Sequence, residues 1–156
     1  MISIRPIALL LALSAAACSG KDDLLIFVDT QPVEGVAGNV AQQRQKWEGK
    51  GIDDYRFAYS RVCFCLQHGT VQVTVRDGRV TDVRKVESGE PVAREYWREF
   101  PTVDELFGAI SDAQGREDVT AVKFHPTLGY PVEAEIGTLA NDAGVRHVLS
   151  GLAAID

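Results

Sequence analysis

The sequence predicts an α+β domain in which one antiparallel sheet is built from two helix-plus-three-strand units. Three observations carry this. Capped segments with helical spacing of apolar residues begin at Asn39 and at Thr102. Runs that alternate apolar and polar side chains, the period of a half-buried strand, follow each of them. Turn residues, Asp77-Gly78 foremost, separate the runs.

Taken in order, Asn39 caps a helix over Val40–Glu48, and Gly49 and Gly51 end it. Val36, Val40, Arg44 and Trp47 fall near one face, so Trp47 is the expected anchor on the sheet. Tyr55 to Leu66 reads as one long strand. Period-2 alternation puts Tyr55, Phe57, Tyr59, Arg61, Cys63 and Cys65 on one face. Ala58, Ser60, Val62, Phe64 and Leu66 take the other. Gln67-His68-Gly69 turns the chain into a strand over Thr70–Arg76. Asp77-Gly78, a dipeptide suited to positive φ at both turn positions, returns it over Arg79–Val86.

Glu87–Pro101 is a connector whose Tyr96, Trp97 and Phe100 are too apolar to stay in water, so it should pack over a sheet edge. Thr102-Val-Asp-Glu105 has capping-box spacing. Val103, Leu106, Phe107, Ile110 and Ala113 then recur at helical spacing as far as Gly115. Strands are expected over Val119–His125, Val132–Gly137 and Val145–Leu152, with turns at Pro126–Pro131 and Asn141–Gly144. Such tandem units resemble the PepSY and β-lactamase-inhibitor-protein architectures, a likeness of fold that does not settle function.

With 156 residues the chain has room for one domain, spanning 39–156. Apolar residues at 46% and charged residues at 24% are a globular balance. The net charge of −6 argues against nucleic-acid binding, which needs clustered Lys and Arg to displace counterions. It argues equally against electrostatic adsorption to an anionic bilayer. A monomer is expected.

The amino end reads differently. Arg5 precedes an apolar stretch, Ile7 to Ala17. As a helix it is about 16 Å long, short of the roughly 30 Å needed to span a bilayer. Residues 1–17 are therefore read as an export signal, with Ala15-Ala16-Ala17 fitting a peptidase cleft. Cys18 follows, and the order resembles a bacterial lipobox with Ala15 where Leu is usual. That resemblance implies cleavage before Cys18, diacylglycerol on its sulfur and acylation of the new amino terminus. Several acyl chains hold far more firmly than one, at about 0.8 kcal/mol per buried CH₂. Residues 18–38 then form the lipid anchor and tether, interrupted by the apolar run Leu24–Val28, which suits a short buried strand or a docking segment for a partner or the membrane surface. Ordinary cleavage that leaves a soluble protein starting at Cys18 is the alternative. Ser19 takes the place of the Asp that retains some lipoproteins in the inner membrane. The expected location is the cell envelope, on the outer membrane facing the periplasm if the cell has one.

Cys63 and Cys65 admit three readings in an oxidising compartment. They form a disulfide with each other, which needs a local twist because extended i and i+2 Cα atoms stand about 6.5–7 Å apart. Or they hold copper(I) or zinc with His68 and one further ligand, His125 or His147. Or they are buried thiols packed as small hydrophobes. Tyr55, Tyr59 and Arg61 either line a groove for a ligand or form an aromatic core face with Arg61 at its rim. The adjacent acids Asp53-Asp54 read as a solvated edge or a cap. No metalloprotease, nucleophile-elbow, P-loop or dinucleotide motif is present, so no catalytic residue and no cofactor are assigned.

The series Trp47, Asp54-Tyr55, Tyr59, Arg61, Cys63-Phe-Cys65, Val73, Val75, Asp77-Gly78, Val80, Leu106-Phe107 and Gly129-Tyr130-Pro131 resembles a family of bacterial lipoproteins known as a domain of unknown function. The likeness covers roughly Trp47 to Leu152, and Cys-x-Cys after a Tyr-rich strand is its most specific part. It implies the same anchor and fold and brings no activity, substrate or cofactor. That family often has an acid after the Gly-Tyr-Pro strand, where this chain has Gly137-Thr138. The expected function is a non-enzymatic envelope lipoprotein that binds a protein or envelope component. A redox or soft-metal module built on Cys63 and Cys65 is the alternative.

Overall fold

Six strands pair into one antiparallel sheet in the computed structural model, which describes residues 29–65, 69–137 and 143–156. The elements run α1 (Val40–Glu48), β1 (Tyr55–Val62), β2 (Val71–Arg76), β3 (Arg79–Lys85), α2 (Val103–Gly115), β4 (Val119–Phe124), β5 (Pro131–Ile136) and β6 (Val145–Ala154). Their order across the sheet is β3-β2-β1-β6-β5-β4. The expected signal 1–17, Cys18, the run Leu24–Val28, Leu66, His68, Thr138 and Asn141 lie outside the described residues.

Local chemistry sets the ends of the elements. The Asn39 side chain accepts from the Gln42 amide at 3.1 Å and starts α1. In α2 the Thr102 hydroxyl accepts from the Glu105 amide at 3.2 Å, and the Glu105 carboxylate accepts from the Thr102 amide at 2.8 Å. Asp77 and Gly78 take φ of 49° and 69°, so β2 and β3 close as a tight hairpin. Asp54 is a cap for that hairpin, accepting from the Asp77 amide at 2.9 Å and pairing with Arg76 at 3.0 Å.

One face of the sheet holds the core. Tyr55, Phe57, Tyr59, Val71, Val73, Val75, Leu149 and Ala134 are buried there. Trp47 of α1, 3% exposed, meets Tyr55 edge-on at 5.4 Å and Tyr130 at 6.1 Å. Helix α2 lies against β4, β5 and α1, with Phe107 stacked on Phe124 at 6.2 Å. Its first turn is tied to β1, since the Val103 amide donates to the Tyr55 hydroxyl at 3.0 Å. The opposite face carries cross-strand ion pairs, Lys123–Glu133 at 3.0 Å and Arg146–Glu135 at 2.9 Å.

Gly129 explains the Gly-Tyr-Pro turn. Its φ is 85°, and a Cβ there would stand 2.8 Å from the Gln43 carbonyl of α1. Only glycine lets this turn touch the helix. Tyr130 then drops into the core, 1% exposed, with burial pushing its hydroxyl up to about 12.

Three expectations need correction. Strand β1 stops at Val62 rather than running on to Leu66. Its register pairs run as far as Tyr59 opposite Val71 on one side and Val62 opposite Arg146 on the other. The last strand continues to Ala154 because Ala154 pairs with Tyr55. The 87–101 connector does pack over an edge, bridging Pro91 to Arg84 on β3, but it also winds into a 3₁₀ helix over Arg94–Glu99. That helix spreads Tyr96, Trp97 and Phe100 against the core.

Candidate functional site

The candidate site is the end of β1 and the bend that follows it. Beyond Val62 the backbone contracts, and the Cys63 and Cys65 Cα atoms are 5.3 Å apart instead of the extended spacing. Their sulfurs are in bonding contact. This is the local twist a bridge requires. The bend turns Phe64 outward to 81% exposure beside Val62 at 53%. These are two of the three large hydrophobic residues exposed among the described residues. Cys63 is half-buried and Cys65 exposed, so the reading of both as core thiols is corrected.

Behind the bend sits a polar pair of pairs. Arg61 and Glu99 form an ion pair with little exposure of either side chain. The Tyr59 hydroxyl lies 2.8 Å from His147 Nδ1. Register explains the second contact: Arg61 faces His147 and Tyr59 faces Leu149 across the β1–β6 ladder. Burial first, then the positive charge of Arg61, push His147 down to about 4. Burial holds the Tyr59 hydroxyl well above its ordinary range. The imidazole is therefore neutral at pH 7 and shares one hydrogen bond with the Tyr59 hydroxyl.

The structure places Tyr55 and Tyr59 in the core at 1% exposure each, with their hydroxyls engaged by Val103 and His147. That is the aromatic core face with Arg61 at its rim, and the groove reading of these residues is corrected. Residues Glu99, His147 and Phe64 were not singled out as a group by sequence. The first two reach the site from 38 and 88 residues away, and no local pattern announces them. The further ligands considered for a metal are engaged elsewhere. His147 Nδ1 faces Tyr59, and His125 Nδ1 accepts from the Thr127 and Leu128 amides at 3.2 and 3.1 Å. His125 also stacks on Tyr130. Among the described residues no group of three or more His, Cys, Asp or Glu is placed to hold a metal ion. Among them, too, no helix is long and apolar enough to cross a membrane.

Residues 39–153 match a family described as a family of unknown function, DUF6174. The chain belongs to that family. The match takes in every helix and nearly every strand residue of the DUF6174 domain, from the Asn39 cap to Ala153 in β6. Neither a curated protein nor a solved structure gives a match.

Proposed function

We propose that this protein is a non-enzymatic, lipid-anchored binding module of the cell envelope, held at the membrane through Cys18. Its contact with a protein or envelope component is the Val62–Cys65 bend. One observation carries the reading: an aromatic side chain at 81% exposure on a bend pinned by bonded cysteines. An exposed apolar patch is the informative kind of surface feature, and Val62 at 53% exposure adds to that of Phe64. Aromatic side chains dominate binding hot spots, and a loop fixed before binding loses little entropy on docking. The disulfide supplies that fixing. The sheet order sets each three-strand run side by side, which supports the PepSY-like or β-lactamase-inhibitor-protein-like arrangement of two units.

A photoreactive amino acid at position 64, introduced in intact cells, tests the contact. A discrete adduct from position 64 that is missing from exposed position 112 is expected. The same adducts from both positions, or none from 64, overturn the reading.

A second reading uses the bend as a thiol–disulfide or soft-metal module, and the exposure of Cys65 favours it. Thiol counting and elemental analysis on one sample separate the two. The binding reading expects no free thiol at positions 63 and 65 and no stoichiometric metal. Cys63-dependent turnover of disulfide substrates, or one bound copper or zinc per chain, would establish the second reading instead.

A further inference from the structure

A shallow groove lies apart from the bend, between the β2–β3 turn and the connector leading into α2. Arg79, Trp97, Arg98, Phe100, Pro101 and Glu105 are among the residues that line it, and its volume is about 460 Å³. That size falls within the range of small-ligand sites, roughly 300–1,000 Å³. Three of its features point to a ligand.

The floor is apolar and held in place. Phe100 is 3% exposed and packs edge-on against Tyr59 at 5.9 Å. The Trp97 indole N–H donates to the Val92 carbonyl at 2.9 Å, which fixes the ring. The Arg94 guanidinium stacks over that ring at 5.5 Å. A side chain entering the groove therefore meets a surface that is already ordered.

The rim is cationic. Arg79 and Arg98 are exposed, and among the described residues neither forms an ion pair. Of the other described arginines, Arg44, Arg61, Arg76, Arg84, Arg116 and Arg146 have carboxylate partners, Arg94 lies over Trp97, and Arg56 is on β1 without an ion pair. In a chain of net charge −6, two unpaired guanidinium groups beside one apolar floor form a local site for an anion. Guanidinium groups grip carboxylates through paired N–H···O bonds.

The third wall is Glu105. Its Oε2 is used by the Thr102 amide. The remaining oxygen can accept from an N–H. A peptide brings an amide N–H next to its terminal carboxylate, and a fatty acid brings none.

We infer that this groove captures the carboxyl-terminal residue of a peptide chain, its carboxylate between Arg79 and Arg98 and its apolar side chain on Trp97, Phe100 and Pro101. This site goes beyond the bend at Cys63–Cys65, and either can fail alone.

The test is titration of the full chain, purified in detergent and labelled with ¹⁵N, followed through its two indole N–H signals. The probes are N-acetyl-Ala-Phe with a free carboxylate, the same dipeptide as its amide, acetate and laurate. The expected result is a shift of the Trp97 signal by the free acid with the Trp47 signal unmoved. The amide should bind about tenfold more weakly or worse, as the loss of one charge-assisted contact implies. Arg79→Gln and Arg98→Gln should each weaken the acid about tenfold, and Arg84→Gln should leave it unchanged. An unmoved Trp47 signal reports that each variant is folded. Equal binding of acid and amide, laurate or acetate matching the dipeptide, or an unshifted Trp97 signal would each overturn the assignment.

Discussion

The Tyr59 hydroxyl stands 2.8 Å from His147 Nδ1, and burial keeps that imidazole neutral down to about pH 4. In the unfolded chain the same histidine takes its proton near pH 6.5. Between those values the unfolded state binds more protons than the folded one. Stability from this residue is therefore full above about pH 6.5 and is lost as pH falls toward 4. The loss should be about 1–3 kcal/mol. Urea midpoints at pH 7 and pH 5 should differ in the native chain and differ much less in His147→Gln. An equal fall in both would show that His147 is not the responsible group.

Trp47 joins α1 to both halves of the sheet through Tyr55 and Tyr130. Trp47→Ala should cost about 3–5 kcal/mol, since a cavity of that size between two rings cannot close. Denaturant unfolding reads this directly. A cost below about 1 kcal/mol would mean that α1 is not anchored by this ring.

Gly129→Ala meets two obstacles at once, a φ of 85° and a carbonyl 2.8 Å from the new Cβ. It should destabilise the fold by about 2–3 kcal/mol. Gly108→Ala is the control, since a Cβ there has nothing within 4 Å and the residue sits inside a helix. That change should be neutral or stabilising by up to about 1 kcal/mol. Thermal melts of the two variants should move in opposite directions or differ by several degrees.

Much of this frame is written in short stretches of sequence. The Asn39 cap, the Thr102–Glu105 capping box and the Asp77-Gly78 turn each act within four residues, and all three form as read. The end of β1 was not legible, because alternation carries on past Val62 while the strand itself stops there. The 3₁₀ helix over Arg94–Glu99 follows from seating Phe100 and Trp97 against a core assembled elsewhere. Likewise Arg61 with Glu99, and Tyr59 with His147, are products of sheet order and register. Sequence supplied the cysteine pair. Only the bend supplied the outward Phe64.

Cys63 and Cys65 enclose a single residue, so their bond closes a very small loop and restrains the unfolded chain little. Cys63→Ser with Cys65→Ser should cost less than about 2 kcal/mol in denaturant unfolding. Cross-linking from position 64 should nevertheless fall sharply in the same variant, because the side chain at that position is no longer held out. A large stability loss would make the bond a structural staple instead.

The anchor is the claim on which location and role both depend, and the mass of the mature amino-terminal peptide tests it most directly. Protein isolated from the membrane fraction should begin at Cys18, with a diacylglycerol on the sulfur and an acyl group on the amine. A peptide that begins at Met1, or a Cys18 peptide without lipid recovered from the soluble fraction, would contradict it.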